Sequence, residues 1–163
     1  MDKKVKVRPR KGIKILFFLI ILFVLLFLYA RYINTSGLVV KEIAVVDEAM
    51  DASYNGFKIV HFSDIHYGRT TFEEDLDHIV EEINKLKPDV IIFTGDLFDH
   101  KSISEEDAKL VSSYLEKLEA RLFKFAVIGD YDKKYLEDYQ SILNRSNFIL
   151  LDNTSKLVYD NST

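Results

Sequence analysis

Ile15 to Ala30 is an unbroken apolar run, and with Lys14 and Arg31 inside its edges it extends from Ile13 to Ile33. As a helix, that stretch reaches about 30 Å, the thickness of a bilayer core. Lys14 and Arg31 stand where long stems snorkel to headgroups, and Tyr29 and Tyr32 sit at one end like an aromatic belt. Residues 13–33 are therefore expected to span a membrane once. Residues 1–12 form a basic head: Lys3, Lys4, Lys6, Arg8, Arg10, Lys11 and the adjoining Lys14 face a single acid, Asp2. This charge asymmetry predicts a cytoplasmic N-terminus and an extracytoplasmic remainder at the cell membrane. A cleavable signal peptide is the rival reading. It is disfavoured by the length of the run and by Tyr-Ala-Arg-Tyr-Ile-Asn, which lacks a small-x-small cleavage pattern.

Beyond the span the charge reverses. Residues 32–163 hold 14 basic and 25 acidic side chains, a net of −11, which argues against a nucleic-acid partner and suits a carboxylate site for a cation. After a linker at 34–37, residues 38–163 have the length of one domain. Leu38 to Val46 reads as a strand or two at an edge, and Asp47 to Gly56 as a polar turn region. Short β-rich runs then alternate with segments of helical period, the mark of a βαβ architecture with a largely parallel sheet. The expected strands are Phe57 to Phe62, Val90 to Phe93, Phe123 to Ile128 and Phe148 to Leu151. The expected helices are Phe72 to Lys87, one capped by Ser104, and about Lys134 to Arg145, with Tyr135 and Tyr139 as core residues.

Each of the first three strands ends in acids: Ser63-Asp64-Ile65-His66, then Thr94-Gly95-Asp96-Leu97-Phe98-Asp99, then Gly129-Asp130-Tyr131-Asp132. Their spacing is that of successive βαβ units, so the clusters should converge beyond the carboxyl ends of the strands. An extended Asp-x-His would point Asp64 and His66 to one side, and Gly95 and Gly129 would allow tight turns. Carboxylates gathered in this way repel one another, a conflict that divalent cations remove. An acid at a strand end is commonly only a turn residue, so it is the set of three that carries the metal reading.

Asp-x-His followed by Gly-Asp-x-x-Asp at this spacing resembles the calcineurin-like metallophosphoesterase superfamily. The stretch Lys58 to His66 is similar to its membrane-anchored bacterial branch. The resemblance covers about Leu38 to Leu151 and implies an α/β fold: a transmembrane helix followed by the βαβαβαβ N-terminal half of a metallophosphoesterase sandwich. It implies that Asp64, His66 and a bridging Asp96 hold two metals (Mn, Fe or Zn), with Asp130 a further ligand and Asp99 and Asp132 supporting them. Such a pair clamps a phosphate and acidifies a water that attacks phosphorus. The implied substrate is a phosphoester or phosphodiester of lipid or envelope origin.

Two departures from the family pattern qualify that transfer. Gly129-Asp130-Tyr131-Asp132 stands where the family has Gly-Asn-His and an acid, so Asp130 and Tyr131 become the catalytic candidates. A phenol, with an ordinary pKa near 10, is a weaker proton donor to a leaving group than imidazole. The family also completes its site with histidines from a second half, whereas the histidines here are His61, His66, His78 and His100. A truncated enzyme is therefore one expectation, and an inactive, membrane-anchored binding protein the alternative. Arg69 and His100 are candidate substrate contacts, His61 a packed or backbone-bonded strand residue, and His78 a boundary residue of its helix.

Overall fold

Four consecutive β-branched or aromatic residues, Val90 to Phe93, follow a proline that ends the preceding helix, a pattern that favours a strand buried on both faces. The computed structural model describes residues 11–32, 38–99 and 103–158, and the chain divides into two units, Met1–Lys41 and Glu42–Thr163.

In the first unit, helix α1 (Lys11–Tyr32) is apolar all round, with exposed side chains throughout 12–29. At 1.5 Å per residue its 22 residues reach about 33 Å, so it is long and apolar enough to cross a bilayer. Residues 1–10 of the basic head, Ile33 and the linker at 34–37 lie outside the described residues.

The second unit runs β1 (Ile59–Phe62), α2 (Glu73–Leu86), β2 (Val90–Phe93), α3 (Glu105–Glu116), β3 (Phe123–Ala126), α4 (Leu136–Arg145) and β4 (Ile149–Leu150). The strands lie in chain order β1-β2-β3-β4 and all pair in parallel. The expected α/β architecture is thus observed, each strand and helix falling within a few residues of its expected place. Sequential order makes every crossover step the same way, which with uniform handedness puts the helices on one face. Register agrees: Val60, Ile91 and Lys124 align, as do Phe62, Phe93 and Ala126. All but Lys124 join Leu76, Val80, Ile83, Val111, Leu115, Tyr139, Ile142 and Leu143 in the core. On the other face Ile59 and His61 are exposed.

Leu38 to Val46 forms no strand, which corrects the sequence expectation. Val39, Ile43, Val45 and Val46 are exposed, and no described strand pairs with the segment. β propensity reflects packing against neighbours, and without a partner edge an apolar run stays irregular. Asp47 to Gly56 is the expected turn region, with a short 3-10 turn at Ala52–Tyr54.

Lys124 is an unforeseen buried charge. Its stem lies among apolar groups while its ammonium donates to the carbonyls of Leu115 at 3.1 Å and Glu116 at 3.4 Å, closing the C-terminus of α3. Burial pushes this lysine below its ordinary pKa, against the opposing charge of Glu116. Lys124→Met keeps the stem and removes the donor, so it should destabilise the domain by about 1–2 kcal/mol in a urea melt.

Candidate metal centre

Asp64, His66 and Asp96 meet beyond the carboxyl ends of β1 and β2, with one ligand atom from each within 4.8 Å of the others. The expected convergence is present, but its local cause differs from the extended Asp-x-His of the sequence reading. Asp64 (φ 57°), His66 (φ 43°) and Asp96 (φ 59°) all have left-handed backbones. Such conformations cost free energy in L-residues and persist where surrounding bonds fix them. Here the Asp64 amide donates to the Gly95 carbonyl and the His66 amide to the Asp96 carbonyl, both at 3.0 Å, locking the β1 loop onto the β2 loop.

The triad suits a cation. His66 Nε2 lies 3.6 Å from Asp64 Oδ1, while its Nδ1 is buried without a hydrogen-bond partner. A buried polar nitrogen without a partner is costly, and an imidazole beside carboxylates is an established donor set for divalent metals. The Asp64 carboxylate is open, its side chain 62% exposed. Asp96 Oδ1 accepts from the Tyr131 amide at 3.0 Å, and its Oδ2 has no hydrogen-bond donor among the described residues.

The other candidates are distributed around this centre. The Tyr131 ring stands edge-on to His66, centroids 5.2 Å apart, with Lys134 Nζ 4.4 Å from its own centroid. Arg69 pairs with Asp99, whose side chain is 6% exposed, and this bond raises the guanidinium pKa, with a smaller contribution from Tyr131. Asp132 is fully buried and accepts three backbone amides. Burial pushes its carboxyl above the ordinary range against the pull of those amides.

Asp130 is not drawn into the triad. Its side chain is 88% exposed and bonds Lys133 at 2.7 Å, which holds its carboxyl below the usual range. Asp130, expected as a ligand, is not among the three grouped side chains; it lies between β3 and the 3-10 turn at Asp132–Tyr135. His100 lies outside the described residues. His61, expected to be packed or backbone-bonded, is exposed and bonds the Thr94 side chain through Oγ1 at 2.8 Å, and His78 is exposed on α2.

Sequence reasoning missed two anchors of the loops. Tyr135 donates to the Phe98 carbonyl, and Tyr139 to the Val127 carbonyl at 2.6 Å, so both core tyrosines tie α4 to the loops after β2 and β3. The available signal was tyrosine rather than phenylalanine at core spacing, since a buried phenol needs a partner.

Comparison with known proteins agrees with this geometry. The family model described as calcineurin-like phosphoesterase matches residues 57–161. The chain is 34% identical to the metallophosphoesterase YkuE of Bacillus subtilis, over 64% of this chain and 36% of that protein. It is 32% identical to a transmembrane protein with metallophosphoesterase domain from Danio rerio, over 57% of this chain and 21% of that protein. It is also 32% identical to the UDP-2,3-diacylglucosamine pyrophosphatase LpxG of Chlamydia muridarum, over 50% of this chain and 24% of that protein. The matched stretch thus spans about a third of these relatives or less. No solved structure matches the chain significantly.

Proposed function

The chain belongs to the calcineurin-like phosphoesterase family, and from that membership and the triad we propose a membrane-anchored, metal-dependent phosphohydrolase. Its domain faces away from the cytoplasm, its basic head toward it, and its substrate is a phosphoester carried by a lipid or envelope component. The observation that carries the reading is the convergence of Asp64, His66 and Asp96, with one ligand atom from each within 4.8 Å of the others. A relative named as a pyrophosphatase of a diacylated sugar nucleotide and another named as a transmembrane protein support the lipid and membrane parts.

Divalent cations held by Asp64, His66 and Asp96, two of them and of the Mn, Fe or Zn class, would neutralise the carboxylates and acidify a water for attack on phosphorus. The protein's own groups do the rest. Arg69, its side chain 65% exposed and tethered by Asp99, is free enough to meet a phosphate oxygen and fixed enough to orient it. Tyr131, whose ring stands edge-on to His66, hands a proton to the leaving oxygen. A phenol is a weaker proton donor than an imidazolium and suits activated leaving groups with low proton demand better than alkoxides.

One observation favours the alternative, an inactive binding protein: Asp130 turns out toward Lys133 and leaves three ligands. Adding Mn to the full chain in detergent micelles, with an aryl phosphodiester as substrate, separates the readings. Turnover that requires Mn and stops with chelator is the expected result. Bound Mn without turnover would favour the binding protein, and no Mn binding would remove the metal reading altogether.

A further inference from the structure

Asp132 is 0% exposed, yet it is an acid close to other acids and takes no part in the triad. Its Oδ2 accepts from the Asp96 amide at 2.8 Å and the Gly129 amide at 2.9 Å, and its Oδ1 from the Leu97 amide at 3.0 Å. One side chain thereby joins the loop after β2 to the loop after β3. We propose that Asp132 is the positioning residue of the metal centre: its carboxylate holds Asp96 in the left-handed conformation that directs Asp96 toward Asp64 and His66. The inference rests on reading the triad as a metal site.

The backbone of Asp96 is fixed on three sides. Its amide is held by Asp132, its carbonyl by the His66 amide and its Oδ1 by the Tyr131 amide. The His66 bond comes from a residue of the triad and the Tyr131 amide reaches only the Asp96 side chain, so neither can fix the Asp96 backbone independently. Asp132 can, because it sits in the 3-10 turn leading into α4, and Tyr135 of that turn and Tyr139 of α4 are buried in the core. A carboxylate is the fitting group: it accepts only, with about four lone-pair positions, whereas an amide would set its own N–H₂ against a backbone N–H. The surrounding backbone is shaped to the same group. A Cβ on Gly95 would come within 3.0 Å of Asp132 Oδ2, and one on Gly129 would meet Asp96 and crowd the same oxygen.

Mn binding by the full chain in micelles, followed by electron paramagnetic resonance, tests the role without recourse to activity. Asp132→Asn should weaken Mn binding about 10- to 100-fold, the range for groups that orient ligands, and should change the resonance envelope of the ion that still binds. Ile142→Ala, a core cavity in α4 that removes none of the hydrogen bonds described above, should lower the melting temperature and leave Mn affinity within about twofold. Asp132→Asn binding Mn as wild type does would overturn the proposal. So would Ile142→Ala losing affinity as steeply at an equal loss of melting temperature. If Asp132→Asn does not fold, Asp132→Glu keeps the charge and displaces the carboxylate by one methylene; wild-type Mn binding by that variant would also overturn it. Wild-type protein that binds no Mn would instead refute the metal site, an outcome distinct from these.

Discussion

Asp96→Asn is expected to leave a folded protein that binds Mn more than ~100-fold more weakly and has no measurable metal-dependent turnover. Loss of an orienting group alone costs roughly 10- to 100-fold, and a ligand should cost more. The substitution is clean for a local reason. Asp96 sits at φ 59°, and asparagine is among the few residues that adopt the left-handed region readily, so the backbone need not move. The side-chain amide oxygen of the variant can still accept from the Tyr131 amide as Oδ1 of Asp96 does. What disappears is the negative charge facing Asp64 and His66. Removing one of several neighbouring carboxylates relieves repulsion, so the metal-free variant should melt no lower than metal-free wild type. Calorimetric Mn titration together with a metal-free melt checks both parts. Retained Mn-dependent turnover in the variant would sink the assignment of the centre. A melt far below wild type would mean that Asp96 acts through the fold instead.

The order of elements was legible because hydrophobic period and punctuation agree along most of the domain. Ser104 before Glu105, Glu106 and Asp107 marks the start of α3, and its hydroxyl does accept from the Asp107 amide at 3.0 Å. Pro88 marks the end of α2, and Val90 to Phe93 matches its strand residue for residue. Asp64, His66 and Asp96 were legible because parallel strands place their carboxyl ends together whatever the loops do. Three things were not legible, each for a different reason. Leu38 to Val46 has strand composition, but composition does not supply a partner edge. The orientation of Asp130 depends on a 3-10 turn that begins two residues later, and Lys133 captures it from within that turn. The left-handed backbones of Asp64, His66 and Asp96 go with hydrogen bonds between loops far apart in sequence, which no local pattern encodes.

Gly95→Ala should be the most destabilising single-methyl change in the domain, costing about 3 kcal/mol or more and abolishing Mn binding with it. Two effects add. Gly95 has φ +91°, where a Cβ costs roughly 1 kcal/mol before any contact is counted. The added carbon would then lie within 3.0 Å of the backbone nitrogen and Cα of Gly129 and of Asp132 Oδ2. Backbone atoms cannot rotate aside as a flexible side chain does, so the β2 and β3 loops must separate. Separation breaks the amide bonds to Asp132, and it shifts the Gly95 carbonyl that accepts from Asp64. Each buried group so orphaned adds a further penalty. Gly56→Ala isolates the first effect, because Gly56 has φ +79° and a Cβ there would meet nothing within 4 Å. It should cost about 1 kcal/mol and leave Mn affinity unchanged. Urea melts of both variants in micelles give the comparison. Equal losses would show that the close approach of the two loops is soft, and the packing that fixes Asp96 would then have to lie elsewhere.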